Sequence, residues 1–349
     1  SDSENMLVKM ISNNRRPLID TNKIVPDGPT ISTNFGEKAQ NRTYQDLLKN
    51  KFDEHNFEQL STSTIYKVSI DGSVKKWMDD GMYRTISFSP NGEYVMISQI
   101  NKPFSYLVTY SRFPTETNIY NKDGDFVSNL QKVPLIEELP KGFMSVRTGK
   151  RSFSWRPDKG ASLTYVTALD SGDPSKKVDF RDEVYELNYP FSGKGKFILK
   201  TINRFSGIDW GTKDMAIAYD TWWNTRNRKS YVFNPSNPNI KPKIISDRNY
   251  QDTYSDPGSF LRSRNEFNRS VLKMHYGNIF LRGQGFSPSG QFPFIDKVNT
   301  KTFEKTRVYQ SSYTDKIESI IDYDPKKNQL TVSIESVSYT HLTLPTKVY

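Results

Sequence analysis

The sequence predicts an all-β chain, a β-propeller of four-stranded blades with one short helical segment near residues 43–60. Three observations carry that prediction. Aromatic residues make up 13% of the chain, with 20 Tyr and 21 Phe, a content that favours strands and opposes disorder. Short apolar/polar alternations end in turn dipeptides. A turn signature also recurs at intervals that suit blades with inserted loops. The 349 residues exceed the roughly 100–200 of one ordinary domain, so two domains or one large repeat architecture are expected.

Residues 1–40 are polar and turn-rich, a loop-like lead-in or partial first blade. Thr43 is a candidate helix cap, with Tyr44, Leu47 and Leu48 on one face until Asn50 interrupts, and a second helical turn is expected through Phe57 and Leu60. Residues 41–336 form the propeller region. Residues 65–70 and 73–77 flank Asp71-Gly72 as a two-strand hairpin, because Asp-Gly tolerates the positive φ such a turn needs. Asn91-Gly92 and Asp123-Gly124 mark two further hairpins.

The recurring signature is an aromatic residue at a strand end, a Pro/Asp/Gly-type turn, then an apolar run. Phe88-Ser89-Pro90-Asn91-Gly92, Trp155-Arg156-Pro157-Asp158, Trp210-Gly211-Thr212-Lys213-Asp214 and Tyr323-Asp324-Pro325 carry it. The aromatic marks lie 67, 55 and 113 residues apart (88 to 155, 155 to 210, 210 to 323), the last gap being about two units. A propeller needs this pattern, with an inner strand, a reversal and a strand buried between neighbouring sheets. A β-sandwich also supplies alternating strands, but it does not repeat.

The chain contains no Cys and only three His, so disulfides, thiolate zinc sites and dense histidine clusters are excluded. No cofactor and no metal site is expected. The string 285–290 has the wrong spacing for a G-x-S-x-G nucleophile elbow and reads as a turn. Gly193-Lys194-Gly195-Lys196 lacks the rest of a phosphate loop and reads as a basic turn. Residues 121–125 lack the downstream Glu of a calcium loop and read as a hairpin turn. The formal charge is +10, yet Arg15-Arg16, Lys75-Lys76, Lys176-Lys177 and Lys326-Lys327 are scattered over turns. Solvated loop tips are expected rather than nucleic-acid contacts. No run approaches the ~18 continuous apolar residues of a membrane span.

The most unusual local feature is Trp222-Trp223 followed by two arginines, Arg226 and Arg228. Trp223, Arg226 and Arg228 are therefore the candidate substrate-binding residues, since guanidinium forks hold carboxylates and stack on rings. The competing reading is structural, with one Trp packed between blades and Arg226 paired with an acid.

Four segments in order carry a family resemblance: RTYQDLLKNKFDEHNFEQLSTS (42–63), DTWWNTRNRKSYVFNP (220–235), DRNYQDTYSDPGSF (247–260) and GFSPSGQFPFIDKVNTKTFE (285–304). Together they resemble the propeller region of the prolyl oligopeptidase family of serine peptidases, in its glutamyl endopeptidase-like branch, over residues 15–336. The resemblance implies part of a seven- or eight-bladed propeller capping a C-terminal α/β-hydrolase domain that bears Ser, Asp and His. It implies gating of access and positioning of peptide substrates, in a periplasmic or extracellular enzyme. None of the triad is expected on this chain, so its catalytic residues are none. Residues 337–349, VSYTHLTLPTKVY, do not continue the family pattern and look like translated adapter sequence. The alternative is a stand-alone propeller that binds a protein or peptide without catalysis.

Overall fold

A computed structural model of the chain describes residues 5–20, 23 and 44–336. Candidate cap Thr43, most of the lead-in and the tail 337–349 lie outside the described residues. The described chain is all-β, assembled from the antiparallel sheets of a β-propeller, in two compact units, Ser1–Ile202 and Asn203–Tyr349.

In the first unit, one sheet runs in order β1 (Asn5–Ile11), β2 (Ser63–Ser69), β3 (Val74–Phe88), β4 (Tyr94–Ile100), β5 (Thr115–Asn121), β6 (Phe126–Val133). β3 is 15 residues long because it serves two neighbours in succession. Lys75 and Lys76 pair with β2, and residues from Met82 onward pair with β4. Its second half with β4, β5 and β6 makes the first four-stranded blade. The second blade is β7 (Arg151–Trp155), β8 (Ser162–Ala168), β9 (Asp182–Asn188) and β10 (Lys196–Thr201).

In the second unit, β11 (Arg204–Thr212), β12 (Met215–Trp222), β13 (Asn227–Phe233) and β14 (Lys243–Asn249) form a third blade in sequential order. The fourth is less regular. Its first strand is broken into β15 (Ser259–Phe260) and β18 (Met274–His275), both on one edge of β19 (Asn278–Gly283). A hairpin of β16 (Arg262–Arg264) and β17 (Ser270–Leu272) fills the interruption. A small hairpin, β20 (Phe286–Ser287) with β21 (Gly290–Gln291), precedes β22 (Phe294–Asn299) and β23 (Lys305–Gln310), which complete the sheet. β24 (Lys316–Asp324) and β25 (Gln329–Ser336) pair with each other.

All four signatures fall at the same structural place, the turn from the first to the second strand of a blade or, for the last, of the β24–β25 hairpin. They close β3, β7, β11 and β24. The double-length gap between Trp210 and Tyr323 has a cause. In the fourth blade the first strand is split, and the chain turns into β19 through Tyr276-Gly277 instead. In the first unit the repeated turns also touch: Trp155 Nε1 donates to the Ser87 carbonyl at 3.0 Å, and Asn91 N donates to the Gly160 carbonyl at 3.0 Å.

The hairpins follow their turn residues. Gly92 takes φ +77, which an L side chain resists. Ser89 Oγ, fully buried, receives a hydrogen bond from Tyr94 N at 3.0 Å and locks the reversal. β8 is buried at five successive positions, as a strand between two covered faces should be. Its Leu163 and Tyr165 join Met96, Ile119 and Leu130 of the first blade and Trp155, Leu187 and Phe191 of the second in one core. Each fully buried side chain of this size contributes about 1.5–3 kcal/mol.

The helical segment is α1 (Lys51–Ser61), and its start differs from expectation. Asn50, read above as an interruption, is the N-cap: its Oδ1 accepts from Phe52 N and Asp53 N, both at 2.9 Å. Tyr44 and Leu48 are not helical, but both pack with Phe57 on Ile100, Val108 and Phe113. Their apolar spacing recorded burial rather than a helix. Among the described residues no helix is long and apolar enough to cross a membrane.

Candidate functional site

The three candidate residues lie on and beside the loop joining β12 to β13. Trp222 and Asn227 are the last paired residues, leaving a four-residue loop, 223–226. Arg226 N donates to the Trp223 carbonyl at 3.2 Å, and Arg226 itself adopts φ +54, the left-handed position that ends the turn. Its carbonyl accepts from Tyr250 N at 2.8 Å, which ties the loop to the chain after β14.

That backbone folds the Arg226 guanidinium back over the indole of Trp223, 3.7 Å from the ring centre. Its Nη1 donates to the Trp223 carbonyl at 2.8 Å. Arg226 is thus held by a ring and a carbonyl, and the stack leaves Trp223 43% exposed. A cation this close to an aromatic face gains about 0.5–1 kcal/mol at an exposed position. The stack orders a guanidinium on the surface, as anion recognition requires.

Arg228 lies on β13 and answers to different neighbours. Its guanidinium is 5.5 Å from the Tyr219 ring, and across the strand pair it faces Arg248 of β14. The Tyr219 hydroxyl donates to Asp209 Oδ2 at 2.8 Å, and Asp209 also takes an ion pair from Arg262. Burial, followed by the Asp209 carboxylate, drives the Tyr219 pKa well up, so this hydroxyl remains a donor. Arg248 binds Asp256 at 2.9 Å and the Asp252 carbonyl at 2.7 Å. Arg226 and Arg228 therefore sit against separate rings.

The opposite face of this sheet holds a closed polar group. Asp220, fully buried, accepts from Asn203 N at 2.9 Å, Asn203 Nδ2 at 3.0 Å and Tyr231 Oη at 2.5 Å. Burial raises its pKa against the lowering effect of these donors. Asn203 Nδ2 also donates to Asn227 Oδ1 at 2.9 Å, which supports the strand beneath the arginine loop. Asp209, Arg248 and Arg262 were not legible as neighbours of Arg228, because only strand register and the split first strand of the fourth blade bring them near.

Other motifs resolve as structure. Residues 121–125 form a hairpin turn in which Asn121 Nδ2 donates to Asp125 Oδ2 at 2.9 Å. Lys194 of the glycine-flanked string lies over the Tyr185 ring at 5.4 Å. Among the described residues no group of three or more His, Asp or Glu side chains is arranged to hold a metal ion.

No protein-family model matches the chain. A probable glutamyl endopeptidase, chloroplastic, of Oryza sativa subsp. japonica is 38% identical over 305 residues, 85% of this chain and 32% of that protein. The protein of the same description in Arabidopsis thaliana is 33% identical over 334 residues, 92% of this chain and 34% of that protein. Among solved structures, the β-propeller domain of the Trilobed protease from Pyrococcus furiosus aligns at 11% identity, with TM-score 0.37, over 79% of this chain and 77% of that one. The chain spans about a third of the length of the curated relatives it matches. Along most of its length the chain is thus similar to these two proteins, both described as probable glutamyl endopeptidases.

Proposed function

We propose that these blades gate access to, and position peptides for, an α/β-hydrolase domain carried elsewhere in a longer parent serine peptidase. The observation that carries this reading is the 38% identity over 305 residues to a probable glutamyl endopeptidase, two thirds of which lies outside the match. Catalysis needs a nucleophile, a base and an oxyanion hole held together. This sequence has no G-x-S-x-G string to supply the first. The role left to the blades is to restrict which chains reach the hydrolase domain and to contact them on the way.

In this reading Trp223, Arg226 and Arg228 contribute substrate contacts. The stacked Arg226 offers an ordered cation to passing carboxylates, and positive potential at a rim raises the local concentration of anionic substrate. We further propose a periplasmic or extracellular parent, to be tested by fractionating the source cells and probing for this chain. The gating role is tested on the full-length parent with one cleavage site placed in a short peptide and in a folded protein. Cleavage of the peptide alone supports gating. Equal rates on both would overturn it.

A further inference from the structure

A cavity of about 420 Å³ opens in the first unit beside β6. Its wall combines apolar side chains, among them Leu130, Val133 and Val146, with the cations Arg147 and Lys150. Lys132 and Glu138 also line it, both exposed. The volume falls in the range of pockets for small organic molecules, and the lining mixes apolar side chains with polar and charged ones.

The two inner cations have neutral partners. Arg147, half-buried, donates from Nη1 to the Thr148 carbonyl at 3.0 Å and from Nη2 to Gln131 Oε1 at 2.6 Å and to the Lys150 carbonyl. Lys150, also half-buried, donates from Nζ to the Gly193 carbonyl at 2.6 Å, 5.0 Å from the Tyr165 ring centre. The neighbouring cations differ. Arg151 has Asp182, and Lys132 has Glu116 at 3.3 Å. Burial, with Arg151 nearby, lowers the Arg147 pKa, and burial lowers that of Lys150. Partly desolvated charges held by neutral acceptors are costly, and an anion brought into the cavity offsets that cost.

Arg147 is fixed before any ligand arrives, because three acceptors hold its fork. A preset guanidinium loses little side-chain freedom on binding, and two of its five N–H donors remain for an oxyanion. The apolar side chains that share the lining favour a molecule with a hydrocarbon body over a bare hydrated ion.

We propose that this cavity binds a small organic oxyanion, its carboxylate or phosphate on Arg147 and Lys150 and its apolar body against Leu130, Val133 and Val146. None of the lining residues belongs to the arginine loop of the third blade, and the proposal does not depend on the peptidase reading. The test is calorimetry on this chain with 4-phenylbutyrate, its neutral amide and phenyl phosphate. At least one acid binds tenfold or more tightly than the amide, and the preferred acid identifies the oxyanion. Lys150→Met lowers that affinity at least fivefold, while Lys122→Met, on the Asp123-Gly124 hairpin, leaves it unchanged. Binding of acids and amide with equal affinity, or of none of them at millimolar concentration, overturns the proposal. The comparison among ligands needs only the unaltered chain, so a variant that fails to fold does not protect the idea.

Discussion

Glu186→Gln tests how much the second blade depends on its buried charges. Glu186 and Arg156 are 2% and 1% exposed, with Oε2 and Nη1 3.1 Å apart. Glu186 Oε1 also receives Ser162 Oγ at 2.7 Å and Lys159 Nζ at 2.5 Å. Breaking a buried pair by neutralising one partner costs about 3–5 kcal/mol, because the other charge remains buried. Two features place this case at the lower end. Arg156 keeps Asp158, at 2.6 Å, and Lys159 is 39% exposed, so water screens its share. The expected loss is about 3 kcal/mol, roughly a hundredfold in the folding equilibrium.

Urea titration, with hydrogen exchange over residues 151–188 to localise the effect, reads this loss. Glu93→Gln is the control, since its ion pair with Lys122 is half-exposed and contributes under about 1 kcal/mol. The pH dependence adds a second check. Burial pushes the Glu186 pKa up, but Lys159, Arg156 and Ser162 outweigh it, and the net pKa is lowered. A lowered carboxyl pKa gives stability that is present above the unfolded value, about 4.3, and is lost as pH falls through the folded one. The gap between wild type and variant should narrow below about pH 4. A Glu186→Gln protein within 0.5 kcal/mol of wild type at pH 7, or a control that costs as much, would refute the reasoning.

Four further outcomes are expected. Leu163→Ala, at a fully buried position in the core shared by the first two blades, costs about 2–5 kcal/mol by urea titration. Gly172→Ala costs about 2 kcal/mol or more by the same assay, because φ is +77 and a Cβ there would lie 1.8 Å from the Val146 carbonyl oxygen. Arg226→Ala leaves stability within about 1 kcal/mol, since the side chain holds only its own loop. In a full-length parent peptidase the same change lowers kcat/KM for acidic peptides about tenfold at low salt, and an unchanged value removes Arg226 from the substrate path.

Much of this architecture was legible because its signals are local. Asn91-Gly92 and Asp123-Gly124 state their turns in two residues, and Phe88, Trp155, Trp210 and Tyr323 mark the same reversal each time. Signals spread over distance were lost. The first strand of the fourth blade consists of two-residue pieces around a hairpin, too short for any period to register. The start of α1 was misplaced because Asn both breaks and caps helices, and only its contacts with Phe52 and Asp53 decide which. At the candidate site, Trp223 and Arg226 are three residues apart and their stack belongs to one turn. The Asp209, Tyr219 and Arg228 grouping instead needs the register of three strands. The cavity cations Arg147 and Lys150 stood out in no motif, since what singles them out is that their hydrogen bonds go to neutral acceptors.

The most direct test of the account is to read the source gene in frame past the codon for Ser336. A parent serine peptidase requires a continuation of several hundred residues containing G-x-S-x-G followed by Asp and His. A stop codon directly after a strand that closes the propeller would contradict the account and leave a binding propeller of peptidase ancestry.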